Sequence, residues 1–174
     1  MINFIVAGVI LSLLLKKNPL TILAVPLKVP FLLIGCLLTQ VLLAFIASTR
    51  GLQYPVILSS TFVVMLIALF LNRHLYGVKW IFAGTLLNTT ALVVHGGLMP
   101  VSETAMQIAG LTDLNFNDES RHLAMEQSYF WWLGDWIPVF TPIGTNFVWS
   151  PGDLFVALGV LQFLVRNSKK GKLE

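Results

Sequence analysis

From the start of the chain to residue 95, the sequence is four long apolar runs joined by short breaks. They cover residues 2–15, 29–47, 55–72 and 78–95, and a fifth follows at 151–165. Such runs can be hidden inside a large soluble core or inside a bilayer, whose hydrocarbon takes about 17–25 apolar helical residues. A soluble core needs polar surface to cover it, and this chain has little. Of its 174 residues 56% are hydrophobic and only 11% are charged, against roughly 25% in soluble domains. The sequence therefore predicts an all-α polytopic transmembrane bundle of about five spans, a single membrane domain over residues 1–174. Residues 96–150 are expected to form a long outer-face loop containing interfacial helices.

The basic residues set the expected threading. With five spans and the N-terminus outside, Lys16, Lys17, Lys28, Arg73, Lys79, Arg166, Lys169, Lys170 and Lys172 face the cytoplasm, and only Arg50 and Arg121 face out. That satisfies the positive-inside rule and predicts a multi-pass protein of a bacterial cytoplasmic membrane with a cytoplasmic C-terminus. A net charge of +3 could suggest nucleic acid, but its carriers sit at helix ends, so no nucleic-acid partner is expected. The same threading places seven of the eight acidic residues outside, and all seven lie between Asn88 and Asp153.

Several breaks have a local cause. A cleaved leader carries its positive charge before the apolar run; here Lys16 and Lys17 follow it, which predicts a retained first span. Leu20–Leu27 is too short to cross and reads as interfacial, and Pro55 suits the first turn of a helix. Gly84, Asn88, Ala91 and His95 recur at spacings of four, three and four. This small, polar stripe should face other helices. The aromatic segment 129–149 is expected in the headgroup zone, Glu119–Gln127 as a short helix, and the basic tail as frayed. Cys36, alone in an apolar run, is expected to be inert packing.

The candidate chemistry is concentrated on the outer side. His95, Asp135 and Asp153 are catalytic candidates for an acid/base site, and Asn88, Glu103, His122 and Glu126 are binding candidates. Glu119, His122 and Glu126 share one side of a helix, yet no established ligand pair is present, and no metal site is assigned. Ser150-Pro151-Gly152-Asp153 reads as a capping box with proline at the first helical position. His95-Gly96-Gly97 reads as a helix exit stopped by Pro100. A serine hydrolase is excluded: the residue two before Ser150 is Val148, where a nucleophile elbow needs glycine, and no α/β sheet is expected. Asp113-Leu-Asn115-Phe-Asn117 begins like a calcium loop but has Asp118 and Ala124 where Gly and Glu belong. Asn88-Thr89-Thr90 is a glycosylation sequon only formally, because it falls inside a span.

Gly97–Val101, Leu133–Pro138 and Ser150–Val165 together resemble a family of small bacterial polytopic membrane proteins catalogued as a domain of unknown function. The family pattern is Asn-Gly-Gly-x-Met-Pro-Val, then Leu-Gly-Asp-x-Ile-Pro, then Ser-x-Gly-Asp entering the last helix. Here His95 stands where that pattern has Asn, and Pro151 fills the variable position. The resemblance implies a fold and a location and carries no activity or cofactor. The leading expectation is a non-enzymatic structural or accessory subunit, in contact with the lipid bilayer and a protein partner or a second copy. The alternatives are a lipid-headgroup-acting enzyme or binding protein at the outer face, and a small oligomeric carrier, although no inverted repeat is visible.

Overall fold

The computed structural model describes residues 2–111, 122–124, 129–141 and 146–170. Five long helices lie where the apolar runs predict them. They are α1 (Ile2–Leu14), α2 (Pro30–Arg50), α3 (Pro55–Leu71), α4 (Val78–Val94) and α6 (Pro151–Asn167). Proline opens α2, α3 and α6, where its missing N–H removes no helical hydrogen bond. The fold is mostly helical. α2, at 21 residues, contains the one described helix long and apolar enough to cross a membrane, while α3 and α4 are apolar but have 17 residues each.

The helices adjoin in the order α2–α3–α4–α6–α1. The closest seam is between α4 and α6, which run antiparallel. A Cβ added at Gly84 would collide with the backbone of Gly152, and one added at Gly77 with that of Gly159. Two glycine pairs, seven residues apart on each helix, thus bring the backbones into contact. Cys36, Met65, Leu69 and Val78 form a buried apolar cluster joining α2, α3 and the start of α4, with Phe163 of α6 packed against it. The outward faces stay apolar as well: Phe31 and Val56 are 87% and 77% exposed. Apolar surface that extensive is rare on a soluble monomer.

One end of the bundle is tied together through its breaks. β1 (Lys17–Asn18) pairs antiparallel with β6 (Lys169–Lys170), so this part of the basic tail is ordered, contrary to the fraying expected. Lys17 Nζ donates to Val165 O at 2.7 Å, at the carbonyl end of α6, where a cation complements the helix dipole. Buried Asn72 holds the loop before α2, donating to Lys28 O and accepting from Lys28 N at 2.8 and 2.7 Å. Lys16, Arg73, Lys79 and Arg166 belong to the same end, and Arg50 to the other.

The opposite end carries a cap of short elements. These are β2 (Met99–Val101), α5 (Glu103–Ile108), β3 (His122–Ala124), a 3-10 turn at Trp131–Leu133, β4 (Ile137–Val139) and β5 (Phe147–Trp149). β2 pairs with β3 in parallel, and β4 with β5 antiparallel. Among the described residues the interfacial helices expected here are the six-residue α5 and a 3-10 turn, with strands between them; residues 119–121 and 125–127 of the expected short helix lie outside the described residues. His122–Ala124 is strand rather than part of a helix over Glu119–Gln127; a backbone run beside β2 gives its N–H and C=O groups partners that periodicity does not reveal. Tyr129, Phe130, Trp131, Trp132 and Trp136 are exposed, but Trp149 is buried and packs on Phe4 with ring centroids 5.3 Å apart.

Candidate functional site

The site is assembled where the cap meets α4 and α6. Ser150 is wholly buried and caps α6: its Oγ accepts from Asp153 N at 3.0 Å, and Asp153 Oδ2 accepts from Ser150 N at 3.2 Å. This is the reciprocal box the sequence predicts. Asn88 closes the network from α4, since the glycine seam leaves it facing the start of α6. Its Nδ2 donates to Asp153 Oδ1 at 3.0 Å, and its Oδ1 accepts from Ser150 Oγ at 2.9 Å. A Cβ at Gly152 would strike the Asn88 side chain.

Asp135 arrives by a different route. Its N–H donates to Pro100 O at 2.8 Å and its C=O accepts from Ser102 N at 2.9 Å, which fixes its backbone along β2. The β4–β5 hairpin pairs Ile137 with Trp149, and Trp136 N donates to Trp149 O at 3.1 Å. Asp135 therefore lies beside the start of α6. It shares with Asp153 a cavity of about 270 Å³, lined also by Asn88, Gln40, Leu58, Phe62, Leu92, Gly97 and Met99. Asp135 Oδ1 is buried without a hydrogen-bond partner. Burial, and secondarily the nearby Asp153 carboxylate, pushes the Asp135 carboxyl up from 3.8 to about 8.

The other sequence candidates fall elsewhere. His95 ends α4, with Nδ1 2.6 Å from Ala91 O and Nε2 2.6 Å from Tyr129 O. It ties the helix exit to the cap and does not line the cavity with the two aspartates. Gly97 completes that exit at φ +91°, so close to Pro55 that a side chain would collide. Glu103 is exposed at the first position of α5, with Ser102 as its cap. Of His122 only the backbone is described, and Glu126 lies outside the described residues, as does the partial calcium loop of Asp113, Asn115 and Asn117. No group of three or more His, Cys, Asp or Glu able to hold a metal exists among the described residues. Sequence reasoning missed Gln40, which lines the cavity and donates through Nε2 to Thr61 Oγ1 at 3.3 Å. The available signal was a lone amide within an apolar run.

A larger groove of about 500 Å³ runs between α3 and α4, lined by Pro55, Val56, Val63, Val64 and Val93 among others. Among the described residues none of its lining is titratable, whereas the smaller cavity holds two carboxyls.

A scan of the sequence against known families matches DUF5317, a family of unknown function, over residues 24–165. The chain belongs to that family. The matched span takes in α2, α3, α4, the cap and nearly all of α6, and so includes every residue lining the cavity. An uncharacterized protein of Thermotoga maritima is 39% identical over 106 residues, covering 60% of this chain and 60% of that relative's length. No solved structure matches the chain.

Proposed function

We propose that this member of the family is a five-span protein of a bacterial cytoplasmic membrane that binds a small ligand in the cavity between its outer cap and the helices. In this reading residues 1–174 form a single membrane domain spanned by α1, α2, α3, α4 and α6, with the N-terminus outside, the 96–150 cap outside and the C-terminus in the cytoplasm. The length of α2, the exposed apolar faces and the gathering of basic residues at one end support it. The 17-residue helices reach about 25 Å and α1 about 20 Å. Local thinning of the bilayer and snorkelling of flanking cations such as Lys16 would accommodate the shortfall against about 30 Å of hydrocarbon. The exposed aromatic residues from Tyr129 to Trp136 suit the headgroup zone.

The observation that carries ligand binding is the buried, unpartnered Oδ1 of Asp135 beside a second carboxyl on a cavity. Leaving such an atom unsatisfied costs about 1–3 kcal/mol, and structure alone gains nothing from it. This favours a binding protein at the outer face over the accessory subunit expected from sequence. Ser150, buried and engaged in capping, gives no nucleophile. The test is a thermal-melting screen of small amines, acids and alcohols on the detergent-solubilised protein, beside Leu58→Trp, which fills the cavity. At least one class should raise the melting temperature of the wild type with concentration and leave the variant unmoved. If no class separates the two proteins, the binding role is wrong.

A further inference from the structure

The cavity has two kinds of wall. Leu58, Phe62, Leu92 and Met99 present apolar surface, while Asp135 and Asp153 present carboxyls. The Asn88 amide is occupied on both sides by Asp153 and Ser150, and the Gln40 NH₂ group donates to Thr61. What is left unsatisfied is an acceptor, the Oδ1 of Asp135. An anion would meet two carboxyls and no described cation. A neutral ligand would leave the Asp153 carboxylate without a counter-charge in the cavity. A divalent metal seeks about six oxygen ligands, and here the apolar walls give a hydrated ion nothing. A cavity of about 150 Å³ accepts benzene, so about 270 Å³ has room for a ring with a short charged arm.

Building on the binding role proposed above, we infer that the cavity takes an organic ammonium with an apolar body, its nitrogen held by Asp135 and Asp153, and that each cation bound displaces one proton from this carboxyl pair to solvent. The exchange balances. The Asp135 O–H bond breaks and its proton leaves to water, an N–H of the ammonium then donates to the freed carboxylate, and no ligand bond is made or broken. Charge in the cavity is unchanged, one positive charge replacing another. The direction in which burial and Asp153 push Asp135 supplies the proton near neutrality. Among the described residues Asp153 on α6 is the titratable group that faces it; α2, α3, α4 and β2 line the cavity with none. His95, at the end of α4, is engaged with the carbonyls of Ala91 and Tyr129.

The test is calorimetric titration of the detergent-solubilised full chain with 2-phenylethylammonium between pH 6 and 9, with empty micelles as reference. 2-Phenylethanol and phenylacetate serve as neutral and anionic counterparts. The ammonium should bind about tenfold more tightly per pH unit up to about pH 8 and level off above it. Repeating the titration near pH 6.5 in buffers of different ionisation heat should count about one proton released, a result that needs no variant. Asp135→Asn should bind the ammonium at least tenfold more weakly and without the pH slope. Saturable binding of the alcohol or the acid but not the ammonium, or ammonium binding with no proton release, would overturn the inference and leave the binding role standing. Failure of all three probes would overturn the inference, while the melting screen with Leu58→Trp decides the binding role separately.

Discussion

Asp135 is held by its backbone, not by its carboxyl. Both of its peptide groups are fixed along β2, while Oδ1 is buried and unpaired. Because its folded value is raised to about 8 from 3.8, the folded chain keeps a proton that the unfolded chain releases. The sign follows directly. The contribution is fully present below about pH 4 and is lost progressively as pH rises to about 8, by an amount on the order of a few kcal/mol. Wild-type stability minus that of Asp135→Asn should therefore fall across this window in chemical or thermal unfolding; a difference that rises with pH contradicts the assignment. Asn88 acts in the opposite sense, because its amide nitrogen and its amide oxygen each hold a partner. Asn88→Leu removes one donor to Asp153 and one acceptor for Ser150, and should lower stability by about 1 kcal/mol or somewhat more. An unchanged melting temperature would mean that the network contributes nothing to folding.

Among the elements, α4 and α6 matter most, because their glycine seam sets Asn88 against the capping box. Gly84→Ala places a methyl against the Gly152 backbone and should push the helices apart, lowering the melting temperature by several degrees and disturbing the cavity as well. Gly35→Ala is the control. Its added Cβ meets nothing within 4 Å, and alanine favours a helix interior by up to about 1 kcal/mol, so that variant should be neutral or more stable. If the two behave alike, close packing at the seam is not what joins the helices. The five long helices were legible in the sequence because apolar runs, prolines and Ser150–Asp153 capping chemistry are local signals. The strands were not. Two- and three-residue strands such as β2 and β4 are too short to show alternation, and their partners lie many residues away. Asp135 and Asp153 could each be singled out from their Gly-Asp segments, yet their meeting depends on the β4–β5 register, which no local pattern encodes. His95 shares the Asn88 face by spacing, but it sits at the helix exit, where free carbonyls and the cap claim its ring.

At the scale of the whole molecule, the ligand proposed for the cavity depends on the proposed threading, which puts the cap outside the cell. If the cap faced the cytoplasm, the cavity would meet a different solution and different ligands. Gln107 on α5 and Lys170 in β6 are both exposed, at opposite ends of the bundle. Cys36 is buried in the apolar cluster and can be removed as Cys36→Ala to give a background without thiols. The most direct measurement is labelling of Gln107→Cys and Lys170→Cys in that background, in intact cells, with a membrane-impermeant thiol reagent. With the proposed threading, Gln107→Cys reacts in intact cells and Lys170→Cys reacts only after the membrane is opened. The reverse pattern, or equal labelling of both before lysis, would contradict it.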